Sequence, residues 1–510
     1  RSGAVKAESG HTRSLWHATV GDMTRSPLAG EARADVCVIG AGIAGMMTAY
    51  SLAQSGRRVI VLDDGPIGGG ETGRTTAHLS DALDDRYTTL ERVHGEDGAR
   101  LAASSHRAAI QRIAEIVDRE SIACDFTWVN GYLFPSKQTG ENGLWEELEA
   151  ARRAGVAVEM AEDPPYDPFG AGRCLRFLRQ GRVHSLKLLD GLARAIERDG
   201  GRIHTGTHVT AVHGGSPVRV ETDGGSTVLA SACVVATNSP ITDYVVTHTK
   251  QAPYRTFAIA ARVPHNSVPD ALYWEDADPY IYIRLQRGET HDWLIVGGED
   301  YKTGQKSDDA ERLERLSAWT RKRFPMVEEI EHRWSGQVLE TSDGLAFIGP
   351  NPDGAENVYI ATGDSGHGMT HGTIAGMLLS DLIAGRANEW SSLYDPKRVR
   401  VGSAPDLARE NLNVAVQYGA WLLPGDAPDE NDVPRSSGRV IRHGTRMIAV
   451  YRDEAGELHQ RNAACTHMRC IVNWNDLEKS WDCPCHGSRF GPTGEVLNGP
   501  ASSALEQPPG

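Results

Sequence analysis

Residues 34–45 read ADVCVIGAGIAG, and this stretch decides the fold. Ala34 to Ile39 is short, apolar and bounded, the pattern of a strand buried in a parallel sheet. Gly40-Ala-Gly42-Ile43-Ala44-Gly45 follows, then a helical run from Met46 to Gln54, then a second apolar strand from Arg58 to Leu62 that ends at Asp63 and Asp64. Strand, glycine-rich turn, helix and strand form the opening of a βαβ dinucleotide-binding unit. Gly40 permits the tight turn, Gly42 lets the backbone approach a pyrophosphate, and Gly45 lets the helix pack on the strand. The helix N-terminus then presents unpaired N–H groups and a positive dipole end to the phosphates. Asp63 lies 23 residues after Gly40, placed to accept hydrogen bonds from ribose hydroxyls and to disfavour the 2′-phosphate of NADP. The competing reading, a glycine-rich turn in a nucleotide-free α/β domain, lacks a reason for that acid.

The rest of the chain fits around this unit. At 510 residues, several folding units are expected. Hydrophobic residues make up 40% and charged residues 24%, which excludes a disordered chain, a coiled coil and a collagen-like fibre. No apolar run reaches the ~18 residues of a membrane span. The net charge of −15 supplies no basic face for nucleic acid and disfavours anionic membranes. The first 30 residues have no apolar core of signal-peptide length, so a cytoplasmic protein is expected. Leu101 to Arg119 and Leu186 to Arg198 read as helices, His208 to Val212 and Val228 to Ala236 as strands. Residues 253–300 are strand-rich, as a sheet covering a ligand would be. A helix is expected from Gly368 to about Ala384. Pro424 to Ser437, rich in Pro, Asp and Ser, reads as linker or surface loop. Arg446 to Ala463 reads as a hairpin turning at Glu454-Ala-Gly456.

Two further segments settle which dinucleotide. Gly68 to Leu79 reads GGGETGRTTAHL, and Asn357 to Gly376 reads NVYIATGDSGHGMTHGTIAG. With these, residues ~15–395 resemble the FAD-dependent oxidoreductases of the D-amino-acid oxidase superfamily. The resemblance implies that Gly70, Thr72, Gly73, Arg74, Thr75 and Thr76 lie along the pyrophosphate and flavin. It implies that Gly363, Asp364, Gly366, His367, Gly368, Met369 and Thr370 face the flavin ring from a helix start, whose dipole would stabilise negative charge on reduced flavin. Val209 would contact adenine through its backbone, and Ala236, Thr237 and Asn238 would lie beneath the cofactor. The amino-acid oxidases of the superfamily often carry Arg-Pro shortly after Trp-x-Gly to hold a substrate carboxylate. Here Trp334-Ser-Gly336-Gln-Val338-Leu339 puts Val338 and Leu339 in those places. An amine without an α-carboxylate becomes the more plausible substrate, with Arg284 as a substitute anion binder or, equally, a strand arginine paired with a surface acid. His367 and His371, at i and i+4, have a spacing a metal could use but no evident third ligand. His78 is a candidate base, flavin-linking residue or structural hydrogen-bonder.

Near the C-terminus Cys465-Thr-His467 and Cys483-Pro-Cys485-His486 form a tight cluster, with Cys470 between them. Two Cys and two His in this order would suit zinc. The CTH and CPCHGS loops, however, resemble a Rieske [2Fe–2S] domain over residues ~410–510. That resemblance makes Cys465, Cys483, His467 and His486 the cluster ligands. It matches Cys470 and Cys485 to the loop-tying disulfide and Gly499-Pro-Ala501 to the covering proline loop. Imidazoles in place of two thiolates raise a cluster's potential. Ser488 could raise it further by hydrogen bonding, whereas Phe490 stands where high-potential members carry a tyrosine. The two-His, one-carboxylate iron of Rieske oxygenases has no counterpart outside the flavin motifs.

The expected architecture is an α/β (α+β) Rossmann-like FAD-binding domain with an antiparallel-sheet substrate domain over residues 1–395, a linker over 396–437, and a small all-β Rieske domain over 438–510. The whole chain is similar to bacterial FAD-dependent oxidoreductases with a C-terminal Rieske domain. The expected activity is oxidation of an amine by hydride transfer to FAD, electrons leaving through the cluster to an external acceptor such as a ferredoxin. The alternatives are reversed flow, with the cluster feeding the flavin, and an electron carrier without a small-molecule substrate.

Overall fold

The computed structural model describes residues 9–242 and 247–508. The strand Glu31–Ile39 stands at the centre of the first sheet, paired in parallel with Thr227–Val235 on one side and Val59–Leu62 on the other. Arg202–His204 and Val358–Thr362 extend the parallel order on either flank. Short antiparallel strands, Phe347–Pro350 and the pair Val209–His213 and Val218–Thr222, complete the sheet. The central strand is almost wholly apolar in its second half because both its faces are covered. The helices Ile43–Gln54 and Gly368–Ile383 pack against one another on one face, with Gly372 and Gly376 at the crossing: a Cβ on Gly376 would meet the Met47 backbone at 2.7 Å.

A nine-stranded sheet lies beyond this core. In it the long strands Gln251–Val263, Asp292–Lys302 and Glu329–Thr341 run antiparallel beside Tyr282–Arg287. The strand-rich segment expected over 253–300 is therefore an antiparallel wall. Helices occupy Tyr87–Glu120 and Ser185–Arg198, the first longer than its periodicity predicted and interrupted at Gly95 (φ +74°). The C-terminal unit holds a three-stranded and a four-stranded sheet, with the expected hairpin pairing Arg446–Arg452 to Leu458–Asn462.

The linker expected over 396–437 is not a free tether. Ala404–Gln417 is a helix, and Gly425 and Ala427 bridge to Ile441. Proline and aspartate give this stretch a loop composition, but its backbone polar groups are satisfied by the edge of the C-terminal sheet, as in Asp426 N donating to Val440 O at 2.6 Å. Among the described residues no helix is long and apolar enough to cross a membrane.

Buried charge joins the two units. Glu478 of the C-terminal unit accepts from Arg74 Nη1 at 3.1 Å, and also from Ser335 Oγ and Thr12 Oγ1. Arg255 lies 3.9 Å from Glu478 and 3.7 Å from Asp482, and Arg489 pairs with Asp482 at 3.1 Å. All five charged side chains are shut off from solvent. Burial alone would raise the Glu478 carboxyl, but the guanidiniums of Arg74, Arg255 and Arg489 outweigh it and hold the group down at about 2.

Candidate active site and cluster site

A cavity of about 320 Å³ runs from the glycine-rich turn to the antiparallel wall. Gly40, Gly42, Ile43, Ala44, Asp63 and Asp64 line one end, with Val209 beside them. The turn is built for close approach. Gly40 has φ +106°, and a Cβ there would sit 2.3 Å from Ala236 O. The cradle is bare of side chain at Gly42, and the Thr72 hydroxyl accepts from Ile43 N at 3.0 Å across it. Asp63 accepts from Ala41 N at 2.6 Å and Gly65 N at 2.8 Å, which fixes the turn as well as facing the cavity. Gly70, Thr72, Thr75, Thr76, Ala236, Thr237 and Asn238 line the middle, followed by Gly363, Asp364, Gly366, His367, Gly368 and Met369. A dinucleotide cradle at a helix start with no side chain at Gly42 fits FAD.

Some of the expected cofactor residues do not line the cavity. Gly73 faces protein, and Gly45 packs the helix as expected: a Cβ there would strike Gly40 O at 1.9 Å. Thr370 turns away to His106 Nδ1 at 2.9 Å. Arg74 touches the cavity, but its guanidinium is spent on Glu478, Thr12 and Ser335 O. Arg284 is no anion binder. It is fully buried, outside the cavity, and donates to the carbonyls of Thr76, Ala77, Val183 and Leu285 and to Gln286 Oε1, with Trp16 against its face. It ties the flavin loop to the wall. His78 lines the cavity, but Nδ1 meets Thr76 Oγ1 at 3.0 Å and Nε2 meets Ile283 O at 3.3 Å. Burial, reinforced by Arg284, lowers it to about 3. Held neutral with both nitrogens engaged, the His78 imidazole orients the loop.

His367 and His371 do not form a metal pair. His367 Nε2 lies 3.3 Å from Asp84 Oδ1, and this carboxylate raises the imidazole against the opposing effect of burial. His371 bonds Asp364 O at 2.8 Å and His106 Nε2 at 3.2 Å. The sequence reading missed the wall opposite the turn: Asp84, Thr256, Trp274, Tyr280, Tyr282, Asp300 and Glu340 all line it. Tyr280 donates to Asp84 at 2.7 Å, and Thr256 and Tyr282 share a 2.7 Å hydrogen bond. The alternation Tyr280-Ile-Tyr282 was the one sequence signal for a shared face.

The C-terminal loops set the four expected ligands as a cysteine pair and a histidine pair. Cys465 and Cys483 are buried, outside the disulfide and within hydrogen-bonding reach of one another. The His467 and His486 rings lie 5.1 Å apart, and His486 Nδ1 is buried with no hydrogen-bond partner. Two adjacent thiols, two adjacent imidazoles and an orphaned ring nitrogen fit a [2Fe–2S] cluster. Cys470 and Cys485 are joined in a disulfide beside them, so they are not ligands. Ser488 bonds Cys465 and accepts from Ala501 N at 3.1 Å, holding the proline loop over the site.

That loop reaches the flavin domain. Val496, Leu497, Asn498, Gly499 and Ala501 line the same cavity as the glycine-rich turn. Asn498 donates to Glu71 at 3.1 Å, and Gln337 donates to Gly487 O at 3.0 Å. From the other side His248, buried, places its ring 5.0 Å from His467 and 6.1 Å from His486.

Comparison with known proteins agrees with this geometry. The FAD dependent oxidoreductase family (DAO) matches residues 35–382, and the Rieske [2Fe-2S] domain family matches residues 426–509. The chain belongs to the DAO family of FAD-dependent oxidoreductases and carries a C-terminal Rieske domain. Over 485 residues it is 31% identical to YhfW of Bacillus subtilis (strain 168), described as a Rieske 2Fe-2S iron-sulfur protein, covering 93% of each chain. It is 29% identical to the gamma-glutamylputrescine oxidoreductase of Escherichia coli (strain K12), over 70% of this chain and 85% of that one. Among solved structures, glycine oxidase from Geobacillus kaustophilus superposes with a TM-score of 0.60 at 18% identity, over 72% of this chain and 99% of that one. The protein is a flavin-dependent oxidoreductase whose cofactors are FAD and a Rieske [2Fe–2S] cluster.

Proposed function

We propose that this oxidoreductase oxidises an amine at a C–N bond and passes the electrons through the Rieske domain to an external acceptor such as a ferredoxin. The observation that carries the reading is the shared cavity: the loop covering the cluster ligands lines the same space as the flavin cradle. When bound, FAD supplies hydride acceptance from the carbon next to nitrogen, and the cluster supplies one-electron relay. The residues of the chain do the rest. Gly40, Gly42 and the start of the helix Ile43–Gln54 hold the pyrophosphate. The start of the helix Gly368–Ile383 faces the ring end of the cavity and favours negative charge there. Val338, in place of a carboxylate-holding arginine, leaves the site open to amines without that group. The E. coli relative supports an amine substrate, since its name records a polyamine derivative.

Anaerobic mixing with a panel of amines tests this. The flavin absorbance should bleach first and the cluster signal should follow. In Cys483→Ser the bleaching should persist while transfer to the acceptor is lost. A flavin that no amine reduces, but that a reduced ferredoxin does, overturns the reading in favour of reversed flow.

A further inference from the structure

The wall facing the flavin cradle draws on four strands that are neighbours in one sheet. Thr256, Tyr282, Asp300, Val338 and Glu340 come from Gln251–Val263, Tyr282–Arg287, Asp292–Lys302 and Glu329–Thr341. We propose that this wall selects a substrate with two positively charged nitrogens, a diamine or polyamine, seating the nitrogen remote from the reacting C–N bond at Asp300, with Glu340 on the same wall. The proposal rests on the amine-oxidising reading above and adds the substrate class.

Charge is the first argument. Asp84, Asp300, Glu340 and Asp364 all line the cavity. The cationic groups nearby are occupied or neutral. Arg74 is held by Glu478, His367 answers Asp84, and burial holds both His78 and His371 at about 3. Asp84 is thereby compensated, and Asp300 and Glu340 are not. The groups that act most strongly on Glu340, after burial itself, are the carboxylates of Asp85, Asp84, Asp364 and Asp300.

A buried acceptor without a donor is the second, independent argument. Asp300 Oδ1 is shut off from bulk solvent and accepts no hydrogen bond, although the Thr256 hydroxyl reaches the carboxylate. Leaving such a group unmet is costly. An ammonium brings three donors and a positive charge to it. Tyr280 and Tyr282, with ring centroids 5.3 Å apart, offer aromatic faces along which a short methylene chain and its cation can lie. An α-amino acid fits poorly, because its carboxylate would meet Val338 and a row of acids.

Proton balance is maintained. Burial raises Asp300 to about 7 and pushes Glu340 well above the ordinary carboxyl range. The titratable and charged groups facing Asp300 are Asp84, Asp278, Glu340, Tyr280, Tyr282 and Arg312, the last already paired with Asp308 at 2.9 Å. Below about pH 7 the resting acids keep protons, and the arriving ammonium takes their place. The displaced protons go to solvent, so a diamine should bind with proton release.

The test uses the holoenzyme with three probes of equal chain length: 1,4-diaminobutane, butylamine and 4-aminobutanoate. For flavin reduction the diamine should exceed butylamine in kcat/KM by about tenfold or more. That ratio should fall about tenfold in both Asp300→Asn and Glu340→Gln, chiefly through KM. Binding of 1,4-diaminobutane to dithionite-reduced holoenzyme, which cannot turn it over, should weaken about tenfold in the same variants. In wild type its binding enthalpy at pH 6.5 should depend on buffer ionisation. Val338→Arg should reverse the order and favour 4-aminobutanoate. Butylamine reducing the flavin as well as the diamine, or unchanged diamine binding in both acid variants, overturns the proposal and leaves the amine-oxidising reading standing. Tight diamine binding that both variants weaken, with no amine reducing the flavin, overturns that reading and leaves the diamine site standing.

Discussion

Glu478→Gln removes one negative charge from the network joining the Rieske domain to the flavin domain and changes little else in shape. Its cost follows from the structure. The carboxyl lies at about 2, against an ordinary value of 4.5, because Arg74, Arg255 and Arg489 outweigh the effect of burial. At ~1.36 kcal/mol per pH unit, that displacement corresponds to about 3 kcal/mol. The figure agrees with the ~3–5 kcal/mol expected when one partner of a buried ion pair is removed. The sign is that of a depressed acid. The stabilisation is complete above pH ~4.5 and is lost as pH falls toward 2. Between pH 8 and 5 the difference between wild type and variant should therefore be constant. It should also resist salt, since none of these side chains meets solvent. Denaturant unfolding followed by the visible dichroism of the cluster reads the Rieske transition separately from the flavin domain. A midpoint equal to wild type, or a difference that vanishes in 1 M salt, would refute the reasoning.

Two further outcomes follow from the same geometry. Gly40→Ala should yield protein without bound flavin, since its Cβ would fall 2.3 Å from Ala236 O at φ +106°; the ratio of flavin to protein absorbance reads this. Phe490→Tyr adds a hydroxyl donor within the buried core that holds Cys465 and Cys483, and should raise the cluster's reduction potential; a redox titration giving an unchanged potential sinks the idea.

Most of the fold, and the two loops that carry the expected cluster ligands, were legible because their determinants are local. The turn at Gly40 to Gly45, the acid at Asp63 and the loops holding Cys465 to His467 and Cys483 to His486 each occupy a few consecutive residues. The failures are all long-range. Arg74 lies in a flavin-binding loop by motif, yet its partner Glu478 is 404 residues away, and no local pattern joins them. Arg284 reads as an anion binder or a strand arginine paired with a surface acid, and only folding brings the carbonyls of Thr76, Ala77 and Val183 to it. Asp300 and Glu340 stand on separate strands, so the acidic wall exists only once the sheet is formed. Pro424 to Ser437 has the composition of a loop, and the pairing of Gly425 and Ala427 with Ile441 depends on a strand the composition does not reveal.

The central claim is that the two redox centres exchange electrons within one chain, across the cavity that Asn498 and Gly499 share with the flavin cradle. Stopped-flow reduction of the holoenzyme by an amine, read at flavin and cluster wavelengths over a range of protein concentrations, tests it most directly. Cluster reduction should follow flavin reduction at a first-order rate that is independent of protein concentration. A rate proportional to protein concentration, or a cluster that stays oxidised beside a fully reduced flavin, would contradict the account.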